Sequence, residues 1–327
     1  MRLRFVVALL ALIGLAAPAL AQDFPVTLEH VYGETTVAEK PVRVLSVGMH
    51  EQDFLYALGI APVGVTEWWG EHPYATWPWA EEARKAVNAT PAVMNSDGIN
   101  IEWVAAQKPD VIIALYVDMD EQMYRSLSQI APTIVTPKGG TLWSVPWRDE
   151  FRFIDKATSG TTAKSDEIIA GFDKRFAEVR AKNPELAGKT GTNIYYDPAT
   201  GFTAWGSHDL ASRFLLDLGL TYPPELDKLA QADNRIEVSP ELIDLLEMDV
   251  AVWPIDTAEQ QAAVESLGTY QSLKLAKEGR SVWLKDGDGL ANAAMSWQTP
   301  LSLGYLLDLL PAKLAAAVDG DPATAIP

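Results

Sequence analysis

The chain contains no cysteine. That absence excludes disulfides, thiolate metal centres and cysteine nucleophiles, together with the lipid-bearing cysteine that tethers many exported binding proteins. Basic residues are also scarce, with 26 Lys and Arg against 44 Asp and Glu and a net charge of −18 at pH 7. No segment supplies the basic stripe that a phosphate backbone requires, so nucleic acid is not an expected partner. Long apolar runs are missing too, since none reaches the roughly 20 residues of a membrane-spanning helix. The one near the N-terminus follows Met1-Arg2-Leu3-Arg4, extends from Phe5 to about Leu15, and precedes Ala19-Leu20-Ala21. This is the pattern of a secretory signal cleaved before Gln22, so a soluble, unlipidated periplasmic protein is expected rather than a membrane-embedded one.

What the sequence does contain is an internal echo. Asn100-Ile101-Glu102-Trp103-Val104 runs on to Lys108-Pro109-Asp110-Val111-Ile112, and Val238-Ser239-Pro240-Glu241-Leu242-Ile243 runs on to Glu247-Met248-Asp249-Val250-Ala251. In each copy a glutamate opens a short helix and an aspartate eight residues later leads into an apolar strand. Upstream, Phe54-Leu55-Tyr56-Ala57-Leu58-Gly59-Ile60 matches Phe214-Leu215-Leu216-Asp217-Leu218-Gly219-Leu220 as an apolar helix end closed by glycine. The repeat predicts two similar α/β lobes of Rossmann-like kind, with a ligand cleft between them.

Between the copies, Ile168, Phe172, Phe176 and Val179 form one apolar stripe. Their spacing predicts a helix over 161–182, roughly 30 Å long at 1.5 Å per residue, stiff enough to join two lobes. The chain therefore divides into a signal segment 1–21, an N-terminal lobe 22–158, a connecting helix 159–184 and a C-terminal lobe 185–327. Strands are expected at 42–47, 61–65, 111–116, 130–135, 192–196, 250–253 and 281–284, alternating with helices, which predicts mostly parallel sheets. The segments 197–207 and 291–299 read as irregular.

In parallel sheets the loops after the strands line the ligand crevice. Here those loops are unusually aromatic. Eleven tryptophans are present, and the segment 67–79 alternates large rings with turn formers in neither a helical nor a strand period. The residues placed at the crevice are Met49, His50, Trp68, Trp69, Tyr74, Tyr116, Trp143, Trp147, Arg148, Trp205, Arg213, Trp253 and Trp297. Trp103 and Trp283 fall inside a helix and a strand and read as structural, and Trp77 and Trp79 fit either group.

With its fragments Pro41-Val42-Arg43-Val44-Leu45, Leu58-Gly59-Ile60-Ala61-Pro62-Val63-Gly64-Val65 and the two glutamate segments in this order, the whole sequence after the signal resembles the class III periplasmic substrate-binding proteins of ABC importers, in particular the iron-siderophore binders. The stretch from Leu301-Ser302-Leu303 to Gly320-Asp321-Pro322 is similar to the ending of that group. The resemblance implies two lobes joined by one long helix with limited closure, a ferric siderophore as ligand, an inner-membrane ABC permease as partner, and docking onto that permease through Glu102 and Glu241. It also implies a monomer that catalyses no reaction and needs no cofactor. A glutamate in the first turn of a helix is independently favoured by the helix dipole, by about 0.3–1 kcal/mol.

The chelate type is read from charge. Catecholate chelates are strongly anionic and call for several basic groups, whereas the crevice loops offer only Lys138, Arg148 and Arg213 among many rings, so a hydroxamate type is favoured. Haem or cobalamin is the rival, with Tyr74, Tyr116 or His50 as axial ligand. A bare-metal reading would use His50, His72 and His208 for zinc, drawn from separate loops. The different-class reading is a secreted hydrolase built on Ser207-His208-Asp209, although adjacent residues do not converge as a triad must and fit a helix cap better. Gly188-Lys189-Thr190 lacks the earlier glycine of a phosphate loop, because position 183 is Asn183. Lys189-Thr190-Gly191 has no matching Ser-x-x-Lys. Asp286-Gly287-Asp288-Gly289 lacks the later ligands of a calcium loop.

Overall fold

Asp110 and Asp249 do the same thing in the two halves of the molecule. Asp110 accepts the backbone amides of Val42 and Arg43, both at 2.8 Å, and Asp249 accepts that of Thr190 at 2.8 Å. Each aspartate thereby latches the start of one strand to the start of its parallel neighbour: β3 (Val44–Ser46) to β6 (Val111–Ala114), and β8 (Gly191–Asp197) to β11 (Val250–Ile255). The sequence echo is a structural repeat. In the computed structural model the described residues are 23–95, 97–231, 233–255, 257–285 and 289–327. The expected signal segment and most of the 286–289 turn lie outside them.

After an N-terminal hairpin, β1 (Val26–His30) with β2 (Gly33–Val37), each lobe is built on a five-stranded sheet. The first runs β5-β4-β3-β6-β7, adding β4 (Gly64–Glu67), β5 (Ala92–Asn95) and β7 (Thr133–Val135), and is parallel throughout. The second repeats that order as β10-β9-β8-β11-β12, with β9 (Gly201–Trp205), β10 (Arg235–Val238) and β12 (Ser281–Lys285). Its direction differs from the expectation, because β8, β9 and β10 pair antiparallel. The cause lies in the turn after β8. Asp197 accepts the Ala199 amide at 2.6 Å, Gly201 takes the left-handed φ of 94°, and the chain reverses at once instead of crossing through a helix.

The connecting helix spans Ala163–Lys182, 20 residues, with Ile169 and Phe176 buried along it. The first helix, Glu51–Leu58, stops at Gly59, which adopts the left-handed φ of 82° and donates its amide back to the last turn. The segment expected to be irregular before the closing helix is itself the helix Leu290–Trp297. The closing helix Pro300–Ala317 begins in a Thr299/Ser302 capping box and packs on both the first helix and the connecting helix. One apolar cluster spans both halves, with Phe54 and Ile113 from the first and Phe214, Val252 and Leu303 from the second, and each lobe adds a core of its own. No helix among the described residues is long and apolar enough to cross a membrane.

Candidate functional site

The floor of the site is set by a buried carboxylate. Glu51, fully buried, accepts the amides of Leu115 and Tyr116 at 2.7 and 2.8 Å and that of His50 at 3.2 Å, tying the loop after β3 to the end of β6. Gly48 is required there, since a Cβ would sit 1.7 Å from the Glu51 carboxylate. Burial pushes the Glu51 carboxyl above its ordinary pKa, partly offset by His50. His50 stacks on Tyr116 at 4.0 Å, donates Nδ1–H to the Trp297 carbonyl at 2.7 Å, and meets Glu150 Oε1 through Nε2 at 3.0 Å. Burial alone would lower the His50 pKa, but the charges and hydrogen bond of Glu150 and the charge of Glu51 outweigh it and the net shift is upward.

Above this floor opens an interlobe cleft of about 1030 Å³. From the first lobe it is lined by Met49, Trp68, Trp69, Tyr116 and Trp143. Trp68 and Trp69 meet edge to face at 4.1 Å, and Trp143, held at the left-handed φ of 67°, meets Tyr116 edge to face at 4.4 Å. The second lobe contributes Tyr195 and Trp205, whose rings stand 6.5 Å apart, with Thr203, Asp209, Asp233 and Arg235. Asn292 and Ser296, one helical turn apart on Leu290–Trp297, complete the wall, and the Tyr195 hydroxyl donates to Asn292 Oδ1 at 2.9 Å.

The structure thus brings Trp68, Trp69, Tyr116, Trp143 and Trp205 together, and it places six other candidates elsewhere. Trp253 lies in the middle of β11, fully buried, with Trp283 stacked 4.9 Å away, because that strand extends to Ile255 rather than ending at the ring. Trp147 and Arg148 open the helix Trp147–Ser159 instead of standing in a loop. The Trp147 ring enters the core against Phe172 at 5.7 Å, and Arg148 caps that ring while pairing with Asp173 and Asp217 at 2.7 and 2.8 Å. Tyr74 sits on the outer surface, 39% exposed, under the Arg84 guanidinium at 4.5 Å. Trp297 is 1% exposed and stands behind Trp68 at 5.9 Å, a buttress rather than a wall. Arg213 faces a neighbouring cavity.

Glu102 and Glu241 are both exposed, each in the first turn of its short helix, Ile101–Ala106 and the 3₁₀ helix Pro240–Leu246. The three loop histidines do not converge: His50 is walled in, His72 packs on Trp77 at 4.3 Å, and His208 borders the neighbouring cavity. Among the described residues no three His, Asp or Glu side chains could hold a metal ion. Ser207 donates to Asp227 at 2.8 Å and Asp209 caps the helix Leu210–Asp217, so Ser207-His208-Asp209 is a capped turn.

Sequence reasoning missed Tyr195, Thr203, Arg235, Asn292 and Ser296. A signal existed for Thr203, because Phe202 and Ala204 are apolar and Thr203 and Trp205 alternate with them, the period of a half-buried strand.

By sequence, residues 48–286 match the family model described as periplasmic binding protein. The chain belongs to the periplasmic binding protein family. Among solved members, a periplasmic solute-binding protein of Mycobacterium smegmatis is 31% identical, with a TM-score of 0.78 over 90% of this chain and 98% of that one. The iron-uptake substrate-binding protein of Streptococcus pneumoniae, solved in complex with ferrichrome, is 28% identical, with a TM-score of 0.79 over 90% and 99% of the two chains. A probable siderophore-binding lipoprotein of Bacillus subtilis is 30% identical over 166 residues, which is 50% of this binding protein and 47%, about half, of its relative.

Proposed function

We propose that this binding protein holds a ferric siderophore in the interlobe cleft and delivers it to an ABC permease for iron uptake. The observation that carries the reading is the cleft itself, about 1030 Å³ with four tryptophan and tyrosine rings from the first lobe facing two from the second. A ferric chelate brings its iron already coordinated, so its carrier needs shape, stacking surface and a few hydrogen bonds, all of which this wall supplies. Relatives named for siderophore binding, and a neighbour solved with ferrichrome, support the same class.

Within that class a hydroxamate chelate fits best. The cleft carries Asp209 and Asp233 against a single guanidinium, Arg235, which is paired with Glu237 at 3.0 Å. Such a wall suits a neutral or weakly cationic chelate and disfavours a trianionic catecholate. The protein acts in our reading as a carrier that catalyses no reaction and holds no cofactor. It works outside the cytoplasmic membrane, as a free periplasmic monomer once its signal is removed. Glu102 and Glu241 are the proposed contacts to the permease.

Tryptophan fluorescence of the purified protein, titrated with ferric trihydroxamate, ferric catecholate, haemin, cobalamin and Zn²⁺, tests the ligand. Saturable quenching at submicromolar ferric trihydroxamate is expected. Response to haemin, cobalamin or Zn²⁺ alone would discard the siderophore reading and leave the fold standing.

A further inference from the structure

A second cavity, of about 630 Å³, adjoins the aromatic cleft. Residues alternate between the two along shared segments: Trp143 lines the cleft and Ser144 the second cavity, Asp209 the cleft and His208 the second cavity, Asp233 and Arg235 the cleft and Asn234 the second cavity. The two spaces therefore border the same segments, a shared wall drawn from both lobes. Their chemistry differs. The cleft is aromatic with two carboxylates and one guanidinium, whereas the second cavity gathers Lys138, His208 and Arg213, with Asp149 as its acid.

Arg213 is the unusual member. Its Nη1 is buried and has no hydrogen-bond partner among the described residues, and no carboxylate there lies within ion-pairing distance. The acids that act on it by charge, Asp209, Asp149 and Asp217, are engaged elsewhere. Asp209 accepts the Ala211 amide at 2.9 Å, Asp217 pairs with Arg148 at 2.8 Å, and Asp149 lies 3.6 Å from Arg152. Burial correspondingly lowers the Arg213 pKa from its ordinary value. A buried donor without an acceptor is costly to the empty protein, and an arriving oxyanion relieves that cost through charge-assisted hydrogen bonds. In a chain of net charge −18, Arg213 and His208 stand here beside a Lys138 that pairs with Glu29 at 3.3 Å.

We propose that the second cavity is an oxyanion subsite in which Arg213 receives a carboxylate carried by the ligand of the aromatic cleft. The inference rests on the siderophore reading and narrows it to hydroxamate chelates that also bear free carboxylates. The chelate body occupies the cleft and its acidic arm crosses the shared wall.

Two chelates separate the subsite from the cleft, a neutral ferric trihydroxamate and a ferric trihydroxamate that bears one free carboxylate. Titrated against tryptophan quenching, Arg213→Gln should weaken the carboxylate chelate at least tenfold and change the neutral one less than twofold. Arg213→Lys, which keeps the charge, should restore part of the loss. Equal losses for both chelates, no loss for either, or wild-type protein that accepts only the neutral chelate would overturn the subsite. Binding of neither chelate would remove the siderophore reading instead. In that event the Arg213 side-chain Nε–H resonance, assigned with Arg213→Lys and followed during titration with citrate alone, decides the subsite separately. A saturable shift supports it and a flat response rejects it.

Discussion

His50 and Glu150 form an ion pair sealed from solvent, 3.0 Å between Nε2 and Oε1, with side-chain exposures of 0% and 2%. The pair joins the loop after β3 to the helix Trp147–Ser159, and the second ring nitrogen of His50 reaches Trp297 in the other half of the chain. Removing one partner strands the other in the core. Glu150→Gln is therefore expected to lower stability by about 3–5 kcal/mol in urea unfolding. A change below 1 kcal/mol would show that the pair contributes little to holding the loop.

Asp53 predicts a pH dependence. Its Oδ2 accepts Trp79 Nε1–H and the Thr299 hydroxyl, both at 2.7 Å, but burial dominates and raises its carboxyl from 3.8 to about 6. The native state thus holds this proton more tightly than the unfolded chain between those values, and its contribution to stability is greatest below pH 3.8 and is lost as pH rises through 6. At about 1.36 kcal/mol per pH unit the loss is on the order of 3 kcal/mol. The stability difference between wild type and Asp53→Asn should fall by that amount from pH 4 to pH 7. A difference that stays constant across this range would rule the linkage out.

Rings in the cleft and rings in the core should separate cleanly on truncation. Trp205→Ala and Trp143→Ala are expected to weaken chelate binding by about 1–3 kcal/mol with little change in thermal midpoint. Trp253→Ala should instead cost about 3–5 kcal/mol of stability, as large-to-small core changes do. The comparison needs only calorimetric melting and fluorescence titration on three variants, and the opposite pattern would reassign the cleft.

Docking is tested by charge reversal. With both Glu102→Lys and Glu241→Lys, iron uptake through the permease should be abolished while chelate affinity stays within twofold. Uptake at the wild-type rate in the double variant would remove these residues from the permease contact.

The repeat and the connecting helix were legible because they rest on periodicity and on short motifs that recur. Asp110 and Asp249 were visible as an echo before their shared role as strand latches was known. The antiparallel half of the second sheet was hidden by its turn, since Asp197-Pro198-Ala199-Thr200-Gly201 reads as a loop and the alternation of Phe202 to Trp205 beyond it is too short to stand out. The site was legible as a set of aromatic loops but not ring by ring. Trp297 lies one residue from Ser296, which faces the cleft, whereas a helix start turned Trp147 inward and a longer strand buried Trp253. Polar cleft residues such as Asn292 and Arg235 gave no signal, because single side chains of those types are ordinary anywhere on a surface.

The shared core beneath both lobes has a mechanical consequence. Prising the lobes apart would open a cluster that holds Phe54 and Ile113 of one half with Val252 and Leu303 of the other and wet its apolar interior, so wide opening of the lobes is costly. Free energy released by a ligand then goes into contact rather than into rearrangement. On the function proposed above, the permease would tell cargo from vacancy by small differences in the spacing or rigidity of the two lobe surfaces, not by a change of outline.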